Sequence, residues 1–333
     1  MRKMIIPIFV PHLGCPHDCV FCNQKKISGT LKPLSVNDIR KQIKDYIESA
    51  EDAASIEIAF YGGSFTGIDF SVQEELLSTA NEFINEIDGI RVSTRPDFIN
   101  ERIIANLKKY NVKTVELGVQ SMNNTVLEKS SRGHTAEDVA AASELIKRSG
   151  IELGIQTMPG LPGAERIDDI DTAREVIKLK PSIVRIYPTL VIRDTYLQEL
   201  YNKGLYRPLE LNDAVEITAD LMDLYESNNI TVIRVGLQPT ENVTESSNGG
   251  DVIAGPFHPA FRQLVDSLRV YRIIKDKLKL INAESETLTI SAGNYDISAV
   301  IGNRKDNIKK LKSEYGFKDV IVYANKVKAD IEL

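Results

Sequence analysis

The chain reads as an α/β protein: a partial (β/α)6 TIM-like barrel followed by a small C-terminal α+β segment. Three observations point there. Six short apolar runs alternate in order with longer segments of helical period, the pattern of a parallel sheet with helices outside it. The residues of unusual chemistry fall on the loops after successive runs, and β/α barrels hold their ligands at the C-terminal strand ends. An open doubly wound sheet gathers them at one switch point instead. Beyond about residue 286 the order changes to strand, helix, helix, strand.

Composition sets the outer bounds. The 333 residues are 42% hydrophobic and 26% charged, ordinary for a globular chain with one large and one smaller domain. No apolar stretch approaches the ~20 residues that cross a bilayer, so no membrane contact is expected. Net charge is −6, which argues against indiscriminate coating of nucleic acid. The total hides an asymmetry. Residues 301–328 carry eight basic and three acidic side chains, a +5 tail on a remainder of −11. Such a patch suits a polyanion and equally a solvated helix face.

Taken in order, residues 4–10 form the first expected strand. That run is short and broken by Pro7, so it fits a buried strand better than a secretory h-region. Helix 36–47 follows, capped by Ser35. The expected pairs continue as strand 55–61 with helix 74–87, strand 90–93 with helix 99–107, and strand 114–119 with helix 136–148. Strand 151–156 with helix 167–179 and a sixth strand, 182–186, complete the set. Residues 1–237 are assigned to the barrel and its helical extension. The Pro-, Asn-, Ser- and Gly-rich stretch 238–257 is assigned to a loop or lid, and 258–333 to a C-terminal extension.

The first loop holds all three cysteines, Cys15, Cys19 and Cys22, spaced C-x3-C-x2-C. Unpaired thiols suit a reducing, cytoplasmic compartment, and thiolates are soft metal ligands. A four-iron cluster normally takes four cysteines; three leave one iron open for chemistry. Zinc would need a fourth ligand, which His12 or His17 could supply. The second loop is Gly62-Gly63-Ser64, where the missing Cβ atoms permit close backbone approach. Arg95 and Asp97 share the third loop and suit either a carboxylate clamp or a mutual ion pair. Glu116 and Gln120 have even spacing and so share one face of the fourth strand. Arg132 follows it, and Thr157 and Met158 open the fifth loop. His258 is a candidate proton carrier or a capping residue.

The cysteine spacing, with Phe21 just before the last cysteine, resembles the signature of the radical S-adenosylmethionine (SAM) superfamily. Further blocks are similar to the branch containing the Elongator catalytic subunit: Phe60-Tyr61-Gly62-Gly63-Ser64-Phe65-Thr66, Glu116-Leu117-Gly118-Val119-Gln120-Ser121, Arg132-Gly133-His134-Thr135 and Arg185-Ile186-Tyr187-Pro188-Thr189. The resemblance implies a [4Fe–4S] cluster on Cys15, Cys19 and Cys22, with SAM chelating the fourth iron. It implies cofactor contacts by Phe21, Gly62, Gly63 and Ser64, where many relatives have glutamate in place of Ser64. Glu116 and Gln120 would meet ribose hydroxyls, Arg132 a carboxylate, and Thr157 and Met158 a flat ring. It further implies an external one-electron donor such as a ferredoxin or flavodoxin, and RNA, in particular tRNA, as substrate. The family's acetyltransferase domain is not expected in this chain, which leaves an acyl step open. A small molecule such as a tetrapyrrole is the alternative substrate, and a non-enzymatic RNA-binding protein with structural zinc the alternative class. The terminal β-α-α-β order resembles a KH domain at 286–333, whose GxxG loop clamps a nucleic-acid backbone. Gly302, Arg304, Lys305 and Lys309 would make those contacts, with Lys305 at the second glycine position.

Overall fold

The structure is a computed structural model that describes residues 2–10, 19–23, 35–50, 53–237, 244, 249–280, 286–293, 295–324 and 331–333. It divides into two compact units. One comprises Met1–Leu209 and Leu224–Phe257, the other Glu210–Asp223 and His258–Leu333.

The first unit is built on β1 (Arg2–Phe9), β2 (Ala53–Tyr61), β3 (Gly89–Thr94), β4 (Val112–Gln120), β5 (Glu152–Thr157) and β6 (Ile183–Ile186). Helices α1 (Val36–Glu48), α2 (Phe70–Asn81), α3 (Glu101–Lys109), α4 (Asn124–Lys129), α5 (Ala136–Arg148) and α6 (Arg166–Leu179) lie between them in sequence. The chain then forms a two-residue strand β7 (Val191–Ile192), α7 (Tyr196–Asn202), α8 (Leu211–Ser227) and β8 (Thr231–Val235). Among the described residues the main sheet has seven parallel strands in the order β1-β2-β3-β4-β5-β6-β8, curled into a half-barrel. Six strands are expected from the sequence. The seventh comes from the alternating run at Thr231–Val235, which pairs with β6 only after a long excursion through β7, α7 and α8. Part of the expected lid, 238–257, lies outside the described residues; within it β9 (Val252–Ala254) pairs antiparallel with β7.

Strand periodicity sorts the sheet into two faces. Ile58, Phe60, Val92, Val115, Leu117, Leu153, Ile155, Val184 and Ile186 alternate onto one face and are almost fully buried. Glu57, Arg91, Glu116, Gln120 and Arg185 take the other. Arg185 of β6 donates to the Tyr61 hydroxyl at the end of β2, although three strands lie between them in the sheet. Only the concave face of a curled sheet allows that contact, so the polar face is the lumen.

Local signals fix the helix starts. Ser35 with Asp38 and Thr135 with Asp138 form reciprocal capping boxes on α1 and α5, satisfying otherwise orphaned N–H groups.

The second unit packs α9 (Phe261–Leu278) with a strand–helix–helix–strand segment: β10 (Thr287–Ser291), α10 (Ile297–Ile301), α11 (Asp306–Tyr315) and β11 (Asp319–Tyr323). β10 and β11 pair in parallel. Tyr271, Ile274, Leu278, Leu288, Ile290, Val300, Leu311 and Phe317 form its core. Arg272 and Arg269 tie α9 to Asp220 and Asp223, each at 2.7 Å.

Candidate active site

Cys19 to Cys22 form a tight turn closed by the Cys22 N–H on the Cys19 carbonyl, at 2.9 Å. Two backbone bonds hold it in place: Val20 N–H to the Ser130 carbonyl, and Leu197 N–H to the Val20 carbonyl. Cys19 and Phe21 are buried with Val126, Leu161, Val191, Leu197 and Tyr206, and Cys22 and Met158 pack at the edge of that cluster. Cys15, His12 and His17 lie outside the described residues.

Two guanidinium groups meet the turn. Arg132 Nη1 is 3.2 Å from Cys19 Sγ, and Arg95 Nη1 is 3.9 Å away. Arg132 also donates to the Gly118 carbonyl, and Arg95 to the Arg132 carbonyl. Arg95 pairs with Asp97 at 3.0 Å, so of its two expected uses the mutual ion pair is present. Arg132 lies over the Phe21 ring at 6.0 Å. Behind them His134 is neutral: burial, then the Arg132 and Arg95 charges, push its pKa down to about 3. Two soft sulfur donors in an apolar shell, with adjacent cations to balance anionic thiolates, fit an iron–sulfur cluster.

The second loop is shaped by Gly62, at φ +94°. A Cβ there would come within 2.6 Å of the Val10 carbonyl oxygen, which belongs to the segment leading into the cysteine loop. Gly62→Ala is therefore expected to cost about 1–3 kcal/mol, from strain and clash together. Urea denaturation checks this, and an unchanged midpoint would contradict it. The Ser64 hydroxyl points inward, 2.7 Å from Thr94 Oγ1, which also meets Thr66 Oγ1 at 2.6 Å. Ser64 is buried, so half-buried Gly62 and Gly63 are the accessible part of the loop.

The lumen contains an ion ladder that sequence reasoning missed. Arg91 bridges Glu57 and Glu116, each at 2.6 Å. Arg185 meets the other Glu116 oxygen at 2.6 Å. Burial disfavours the two cations, yet Glu116, joined by Glu57 at Arg91 and by Tyr187 and Tyr61 at Arg185, holds both above their ordinary range. β5 separates Glu116 from Arg185 in the sheet, and Gly154 makes the crossing possible. A Cβ at Gly154 would approach Glu116 Cγ to 2.9 Å. Glu116, expected to meet a ribose, thus has its carboxylate engaged by two guanidiniums. A signal existed: Glu57, Arg91 and Arg185 are each the lone charge of an otherwise uncharged strand.

Gln120 ends β4 in the left-handed region, at φ 70°. Its side-chain oxygen accepts from Gln156 at 3.2 Å, and its carbonyl accepts from the Met158 N–H at 2.9 Å. This joins the fourth and fifth loops beside buried Thr157. The fifth loop is clamped at Gly160, whose N–H donates to Asp169 and whose carbonyl accepts from the Tyr206 hydroxyl. Burial, with Asp168 alongside, pushes Asp169 up to about 7.

In the second unit His258 Nδ1 accepts from the Ala260 N–H at 3.0 Å, a capping geometry just before α9. Gly302, Arg304 and Lys305 have positive φ angles and form the turn between α10 and α11, and Lys309 lies on α11.

Residues 9–176 match the family described as the Radical SAM superfamily, and residues 181–270 match the Radical_SAM C-terminal domain. The chain is 31% identical over 255 residues to the tRNA uridine(34) acetyltransferase of Methanocaldococcus jannaschii, covering 64% of this chain and 47% of that protein. It is 33% identical over 262 residues to Homo sapiens Elongator complex protein 3, covering 64% and 48%. The chain thus spans about half the length of these curated relatives. The solved structure of archaeal Methanocaldococcus infernus Elp3 with an N-terminal deletion shares the fold, with TM-score 0.63 and 23% identity over 83% of this chain and 64% of that one. Among the described residues no helix is long and apolar enough to cross a membrane.

Proposed function

Because the chain belongs to the radical SAM superfamily, a family of enzymes that use a [4Fe–4S] cluster and SAM, we propose that it modifies an RNA substrate, a tRNA, by radical chemistry. The observation that carries the reading is the Cys19–Cys22 turn in its apolar shell at the barrel mouth, with Arg132 3.2 Å from a sulfur. Cys15, Cys19 and Cys22 would hold the cluster and leave one iron for SAM. When bound, that pair supplies a 5′-deoxyadenosyl radical, given one electron from an external ferredoxin or flavodoxin.

The chain's own residues position and shield that chemistry. Gly62 and Gly63 would offer backbone carbonyls to the SAM ammonium, Arg132 would meet its carboxylate and Gln120 its ribose, while Thr157 and Met158 would cover the ring and Phe21 would close the apolar wall. Glu116 acts on the site through Arg91 and Arg185. Ser64 acts through the Thr94 hydroxyl cluster. The RNA reading is supported by the tRNA-modifying relatives and by the cationic turn at Gly302, Arg304, Lys305 and Lys309.

The test is anaerobic reconstitution with iron and sulfide, then SAM and reductant, with and without bulk tRNA. Cluster absorbance and 5′-deoxyadenosine that rises with tRNA are the expected results. A colourless protein that leaves SAM intact overturns the enzyme class. Cleavage indifferent to tRNA moves the substrate to a small molecule.

A further inference from the structure

The two guanidiniums beside Cys19 differ in how their charge is balanced. The Asp97 carboxylate holds Arg95 through three contacts, at 3.0, 3.3 and 3.0 Å, so that charge is largely cancelled where it stands. Arg132 has no carboxylate partner among the described residues. It is 5% exposed, and among those residues its guanidinium donates only to the Gly118 carbonyl and to Cys19 Sγ. Its Nε is buried and meets no acceptor among them. Phe21 offers it a ring face, and His134 beside it is neutral. A buried cation without a counter-ion is costly. The sulfur 3.2 Å away is the group through which this one can be balanced, provided that sulfur is anionic.

Charge beside a cluster sulfur changes how readily the cluster takes an electron, because reduction potential follows net charge and the hydrogen bonds to the sulfurs. One electron from an external donor of the ferredoxin or flavodoxin class adds one negative charge near Cys19. No bond is made or broken and no proton moves. An uncancelled cation favours that added charge, whereas a cation already paired with a carboxylate contributes much less. Both guanidiniums are buried, so salt and solvent screen the effect weakly.

We propose that Arg132 raises the reduction potential of the cluster through its unbalanced charge on Cys19 Sγ, and that Asp97 restrains the same effect at Arg95. This rests on the reading of Cys15, Cys19 and Cys22 as cluster ligands. Arg132 and Asp97 act through the Cys19 sulfur, as positioning residues for its charge.

The experiment is a redox titration of the anaerobically reconstituted full chain, followed by the electron paramagnetic resonance of the reduced cluster. SAM is left out, because its carboxylate would share the Arg132 guanidinium. At a fixed ambient potential Arg132→Met is expected to lower the ratio of reduced to oxidised cluster by about tenfold, a downward shift of ~59 mV for one electron. Arg132→Lys keeps the charge and should recover most of that ratio. Asp97→Asn keeps the size of the side chain, uncovers the Arg95 charge and should raise the ratio several-fold. Loosening of the site alone would move the Met and Asn variants the same way. An Arg132→Met ratio within about twofold of wild type, or an Asp97→Asn ratio at or below wild type, refutes the tuning while the cluster stands. If Arg132→Met retains no cluster, the sign of the Asp97→Asn shift decides alone. If wild type itself forms no cluster, the reading of the cysteine turn fails, and the tuning with it.

Discussion

The Cys22→Ser protein, reconstituted without oxygen, is expected to hold little iron and to form 5′-deoxyadenosine at least about a hundredfold more slowly than wild type. Serine keeps the size of the side chain but replaces a soft sulfur by a hard oxygen, a poor ligand for an iron–sulfur cluster. Cys19→Ser carries the same expectation. Arg132→Met separates ligand from neighbour. It removes the guanidinium 3.2 Å from Cys19 Sγ and leaves all three cysteine sulfurs, so cluster binding should weaken by about 10–100-fold, the range for groups just outside a metal's own ligands. Iron content and the cluster's spectrum read the first effect, and product formation the second. Far-UV circular dichroism verifies that each variant is folded. Wild-type iron in Cys22→Ser would remove that thiol from the cluster.

Glu116→Gln is expected to destabilise the first unit by about 3–5 kcal/mol, the cost of removing one partner from a buried ion pair. The loss should lodge in one residue. Arg91 keeps Glu57 at 2.6 Å, while Glu116 is the carboxylate that Arg185 meets on the ladder. Combining Glu116→Leu with Arg185→Met removes the stranded charge and should recover most of the stability, because apolar replacement of a whole buried pair is often neutral. Urea denaturation of the single and double variants measures both effects. A single variant within 1 kcal/mol of wild type would mean that solvent already screens the ladder.

The parts of the site that are local in sequence are legible there. The cysteine loop, the glycine pair and the loops after β3, β4 and β5 are marked by residues within a few positions of one another. Glu116 and Gln120 share a face because strand periodicity is two. What needs the assembled sheet is not legible. Glu116 meets Arg185 because β5 carries glycine where a side chain would stand, and Arg185 meets Tyr61 because the sheet curls. Neither follows from spacing along the chain. The seventh strand is not among the six the sequence predicts for a related reason: its partner β6 is separated from it by two helices and a two-residue strand. The inward turn of Ser64 depends on Thr94, thirty positions away.

The ladder also ties together segments that leave the ribosome far apart in time. Its bonds join residues 34, 25, 69 and 124 positions apart. A nascent chain released before Arg185 would enclose Glu57, Arg91 and Glu116 with one carboxylate more than it can neutralise. A barrel closed without β6 would thus carry an uncompensated carboxylate, so the ladder is expected to favour joint closure of the strands through β6 over stepwise pairing.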